Sequence, residues 1–94
     1  MMGMVKETYH PNAYLTNIRN IKQGLRTRTQ ILNVLEKRFG DARSIGNETQ
    51  LHYGVVTHHL RLLRIAGIVE QKVSRKPAVW GPTGVGQKRL VNPP

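Results

Sequence analysis

Apolar residues recur at spacings of three and four in four stretches of this chain and alternate with polar ones in a fifth, a pattern that predicts four helices and then a hairpin. The first helix opens at Pro11 and Asn12, where the asparagine side chain can accept from free first-turn amides, and Tyr14, Ile18, Ile21 and Leu25 then form one seam. Gly24 weakens it near its end. Thr27 and Gln30 spell a capping box that starts the second helix, with Ile31, Leu32, Leu35 and Phe39 inward and Gly40 closing it. Ala42 to Thr49 is a short third helix with Ile45 inward, and Gln50 to His52 is a turn whose Leu51 locks it to the next. In the fourth helix, Tyr53 to Ala66, one buried face carries Val56, His59, Leu60, Leu63 and Ala66, and Gly67 supplies the left-handed stop.

Beyond that glycine, Val69, Gln71 and Val73 alternate with Glu70, Lys72 and Ser74, as in a strand with one face in. Arg75, Lys76 and Pro77 make a basic turn, and Ala78, Val79 and Trp80 return as the second strand, with Trp80 packing over hairpin and core. Gly81 to Gly86, with three glycines and a proline, turns the chain; GPTGVG lacks the lysine and serine of a phosphate-binding loop. The organisation expected is a flexible stretch over 1–10, an N-terminal helix over 11–26, a domain over 27–86 and a short basic tail over 87–94.

A helix, a three-residue turn and a second helix make a DNA-reading unit, and the hairpin supplies a wing. The stretch LHYGVVTHHLRLLRIAGIVEQKV, with its His59-Leu60 pair, Leu63 and Ala66-Gly67-Ile68-Val69, resembles the recognition helix and first wing strand of winged-helix regulators of the ArsR and MarR type, small DNA-binding proteins of bacteria and archaea. The likeness runs from about Thr27 to Gly86. It implies an α+β winged helix-turn-helix, a three-helix core plus a two-stranded β-wing, here with an added N-terminal helix. Such a helix commonly serves dimer formation, which makes Tyr14, Ile18, Ile21 and Leu25 dimerisation candidates; the same seam could equally pack on its own domain. The tail is too short for the long C-terminal dimer helix of many members.

Charge sharpens this picture. A formal +10 on 94 residues, with a pI near 11.0, favours a polyanionic partner. From Leu51 onward, Arg61, Arg64, Lys72, Arg75, Lys76, Lys88 and Arg89 face the single carboxylate of Glu70, so more than half the net charge lies on the last helix, wing and tail. One small domain of this length has a marginal core that a homodimer would help. The absence of cysteine excludes disulfides and thiolate sites and is compatible with the cytoplasm. No apolar run is long enough to span a membrane, and no single amphipathic helix gathers the cations for a membrane surface.

Enzymatic chemistry finds little support, because Glu7, Glu36, Asp41, Glu48 and Glu70 are scattered and serine occurs only at 44 and 74. His58 and His59 point about 100° apart on a helix and no His-x-x-x-His pair exists, so no metal or other cofactor is expected. His59 reads as a half-buried packing residue. For double-stranded DNA, the helix from Tyr53 would enter the major groove, with Tyr53, Val55, Thr57 and His58 toward base edges and Arg61 reaching a guanine or a phosphate. Arg64, Lys72, Arg75, Lys76, Arg43 and Ser44 would meet backbone or the adjacent minor groove. The leading expectation is a sequence-specific, homodimeric transcription regulator. The alternatives are a basic architectural protein that coats DNA without reading it, and an adaptor binding protein or RNA.

Overall fold

In a computed structural model, which describes residues 8–16 and 19–84, three helices and a three-stranded antiparallel sheet follow one another as α1 (Lys22–Lys37), β1 (Gly40–Asp41), α2 (Ala42–Thr49), α3 (Tyr53–Ile65), β2 (Val69–Val73) and β3 (Val79–Pro82). The sheet order is β1-β3-β2, so the wing hairpin is joined by a short strand leading into α2. Leu25, Ile31, Leu32 and Leu35 of α1, Ile45 of α2, Val56, Leu60 and Leu63 of α3 and Val69 of β2 form one buried core, with Trp80 packed against it. This is a winged helix-turn-helix.

The helix-turn-helix follows local rules. Asp41 caps α2 by accepting from the Ser44 amide at 2.8 Å, and Gln50 ends it in the left-handed region at φ 66°. The Leu51 amide then donates to the Gly46 carbonyl at 3.0 Å, closing the turn. Gly46 sits where α2 meets the turn: a Cβ there would lie 2.9 Å from the Leu51 carbonyl oxygen. His52 caps α3, its ring accepting from the Gly54 amide at 2.9 Å, and Gly67 leaves the helix at φ 79°.

The N-terminal region departs from the helix expected over 11–26. A 3₁₀ turn at Pro11–Ala13 ends in an extended Tyr14, and α1 begins only at Lys22. His10, not Asn12, supplies the cap, accepting from the Asn12 amide at 3.0 Å. Asn20 then binds both the amide and the carbonyl of Leu15, at 2.8 and 2.7 Å, which takes groups a helix would need. Thr27 lies inside α1 and is buried, so the capping box starts nothing. The seam is correspondingly dispersed. Tyr14 and Ile21 are more than half exposed outside any helix, Leu25 is in the core, and Ile18 lies outside the described residues.

Three further expectations change. Phe39 is 54% exposed instead of buried, because the chain leaves α1 extended at Arg38 and Gly40 pairs with Trp80 as part of β1. Gly81 and Pro82 belong to β3 instead of a turn, and Gly81 is bare where Phe39 lies across the strand: a Cβ would sit 2.6 Å from the ring. Ala66 and Val73 are exposed, the first past the last turn of α3 and the second beyond a break in the β2–β3 register. The tail over 87–94 lies outside the described residues.

Candidate nucleic-acid interface

Helical geometry sorts the residues of α3 by direction. Val56, Leu60 and Leu63 are fully buried, and Tyr53, Thr57, Arg61 and Arg64, spaced four, four and three, form a stripe beside them. This stripe is one wall of a cleft of about 700 Å³. Gln71, Lys76, Pro77, Ala78 and Trp80 of the wing hairpin and Asp41, Ala42 and Arg43 at the start of α2 complete its lining. Arg43 lies over the Tyr53 ring, 5.9 Å from its centroid, and so holds the entrance of α3 to the entrance of α2.

The cleft is strongly cationic. Arg43, Arg61, Arg64 and Lys76 line it, and none forms an ion pair with a described residue. Its one carboxylate is Asp41, held below the usual carboxylate range first by the Ser44 amide and then by the Ser44 hydroxyl. That carboxylate is engaged as a cap.

Of the base-reading candidates, Tyr53, Thr57 and Arg61 therefore face the wing, whereas Val55 and His58 are exposed on α3 outside the cleft. Thr57 donates its hydroxyl to the Gly54 carbonyl at 3.0 Å. Of the backbone candidates, Arg43, Arg64 and Lys76 join the cleft and Arg75 is exposed at the wing tip. Ser44 donates its hydroxyl to the Asp41 carbonyl at 3.1 Å. Lys72 points away: its Nζ is 2.6 Å from Glu70 and 5.2 Å from the centroid of the Phe39 ring, on the sheet face opposite Gln71.

His59 is half-buried on α3, and its pKa is pushed down to about 4, first by burial and then by the positive charges of Arg28 and His58. Arg28 is the residue that pattern reading passed over. It is 2% exposed and forms no ion pair with a described carboxylate; its Nε donates to the Ala13 carbonyl at 2.7 Å and Nη2 to the Asn20 side chain at 3.1 Å. The signal was in the spacing, since 28, 31, 32 and 35 share the inward face of α1. The other missed residues, Gln71, Pro77 and Ala78, enter the site only because the hairpin folds back over α3.

Residues 26–71 match the family model of bacterial regulatory proteins of the arsR family. Among solved structures, the fold is similar to a homodimeric winged helix-turn-helix DNA-binding domain from Mycobacterium bovis, described as a possible ArsR-family transcriptional regulator, with a TM-score of 0.60 and 24% sequence identity. The match covers 67% of this chain and 58% of that one, so this chain spans less than two thirds of its neighbour. A search of curated proteins finds no match. No helix among the described residues is long and apolar enough to cross a membrane. Residues 26–71 are thus similar to the helix-turn-helix of the arsR family, and the fold that holds them is a winged helix.

Proposed function

We propose that this chain is a transcription regulator, not an enzyme, that binds double-stranded DNA in a sequence-specific manner through α3 and the wing. The observation that carries the reading is the cleft in which Arg43, Arg61, Arg64 and Lys76 converge with no ion pair to any described residue, beside a helix whose first residues, Tyr53, Gly54 and Val55, are exposed. Concentrated, unneutralised cations on a helix-turn-helix suit the phosphate backbone, and the major groove of B-DNA admits a helix such as α3. The family match and the homodimeric DNA-binding neighbour support the same reading.

The regulator acts as a homodimer in the cytoplasm, on a pseudo-palindromic site. Tyr14 and Ile21, both more than half exposed on the segment before α1, supply apolar surface for the second copy. No metal or cofactor is needed for the activity.

A fluorescence-anisotropy titration against random duplexes at two salt concentrations, followed by selection and sequencing of the duplexes retained at the higher salt, tests the reading. A palindromic motif is the expected result. Tight low-salt binding with no surviving motif would instead indicate an architectural protein, a reading that the +10 charge favours. Absence of duplex binding at low salt would remove DNA from the account.

A further inference from the structure

Resting on the DNA-binding reading, we infer that the cleft between α3 and the wing takes one sugar-phosphate strand of the duplex. Arg61, Arg64 and Lys76 then grip phosphates, and sequence is read from the neighbouring face of α3 that carries Gly54, Val55 and His58. This moves Tyr53, Thr57 and Arg61 out of the reading set and reduces base recognition to a small, mostly uncharged surface.

Shape and charge fix the strand in the cleft. Its lining draws cations from two separate elements, Arg61 and Arg64 on the helix and Lys76 on the wing, and a charged ribbon lying between those elements can be held by both. Base edges lie instead at the floor of a groove and are met by whatever protrudes furthest from the protein. At roughly 100° per residue, the direction opposite the buried Val56, Leu60 and Leu63 is occupied by Gly54, His58 and Ile65, with Arg61 on the flank toward the cleft and Val55 on the other. Gly54, Val55 and His58 are exposed and none of them lines the cleft, whereas Arg61 does. Thr57 spends its hydroxyl proton on the Gly54 carbonyl, which removes it as a free donor to a base.

The outward residues suit reading. Gly54 lacks a side chain on the first turn, so the helix backbone can approach the groove floor closely. His58 carries two ring nitrogens for base edges, and Val55 presents methyl groups that suit a thymine methyl. The His52 ring holds the Gly54 amide at 2.9 Å and so fixes the start of this face.

The test uses the full chain, a duplex obtained by selection and a scrambled duplex of equal length, titrated across a range of salt. Arg61→Ala, Arg64→Ala and Lys76→Ala are each expected to weaken both duplexes by the same factor and to flatten the slope of log K against log salt by about one. His58→Ala is expected to leave the slope unchanged and to reduce the preference for the selected duplex by about tenfold or more. The inference is overturned if Arg61→Ala narrows that preference while keeping the slope, or if His58→Ala leaves it intact. Wild-type protein that binds neither duplex at low salt would instead overturn the DNA-binding reading itself.

Discussion

Arg28 places Nη1 3.4 Å from Nδ1 of His59 and so joins the segment before α1 to the helix at the proposed interface. A guanidinium only donates, so Nδ1 accepts and the ring proton of the neutral histidine sits on Nε2. The pair sets a pH dependence. His59 titrates at about 4 in the folded chain against an ordinary 6.5, so between these values the unfolded chain holds the extra proton. Stability from this group is complete above about pH 6.5 and is lost as pH falls toward 4.

Thermal melts from pH 7 to 4 should therefore show a falling Tm. Discounted for a half-buried ring, the loss is on the order of 2 kcal/mol, or roughly 10 °C for a domain this small. His59→Gln, which cannot take the proton, should flatten that window. An equal fall in wild type and variant would mean that other groups govern it. Asp41 is no competitor there, since its lowered pKa puts its loss below the ordinary carboxylate range.

The contact of α2 with the turn gives a second test. Helix propensity alone predicts that Gly46→Ala gains about 1 kcal/mol. The new Cβ would lie 2.9 Å from the Leu51 carbonyl oxygen, a backbone atom fixed by the turn, and 3.8 Å from Val56 Cγ2. Crowding wins in a packed interior, so the substitution should cost roughly 1–3 kcal/mol in denaturant unfolding. A gain in stability would show that α2 and α3 can separate freely.

Gln50, by contrast, holds a conformation that a glycine adopts more easily, at φ 66° on an exposed site. Gln50→Gly should stabilise the chain by about 0.5–1 kcal/mol, because relief of the left-handed strain exceeds the added freedom of the unfolded chain. A loss on urea unfolding would mean that the Gln50 side chain contributes more than its backbone strain costs.

The parts of the fold that were legible in the sequence are those governed by neighbours in the chain. The span of α2, the three-residue turn, the start of α3 and the stop at Gly67 all follow from spacing and backbone chemistry. The start of α1 does not. Tyr14, Ile21 and Leu25 have helical spacing, but Asn20 binds the Leu15 backbone and Arg28 the Ala13 carbonyl, so side-chain hydrogen bonds overrule the pattern. Strand β1 is two residues long and has no periodicity to read. At the interface the basic residues were visible one by one. Their division into cleft and outward face was not, because it depends on where the hairpin lands; Lys72 looks like a wing cation until Phe39 and Glu70 are seen to hold it on the far side.

Asp41 separates the demands of folding from those of binding. Its carboxylate caps α2 through Ser44, yet it is the acidic side chain in a cleft otherwise lined by Arg43, Arg61, Arg64 and Lys76. A phosphate strand entering that cleft meets its repulsion at short range, where salt screens it least. Serine caps a helix about as well without the charge. Asp41→Ser should therefore keep the melting temperature near that of wild type while tightening duplex binding several-fold at low salt, with the gain shrinking as salt rises. Asp41→Ala should tighten binding as well but cost about 1 kcal/mol of stability. If Asp41→Ser bound DNA no better than wild type, the strand would not pass the start of α2, and the proposed path through the cleft would have to end at Arg61.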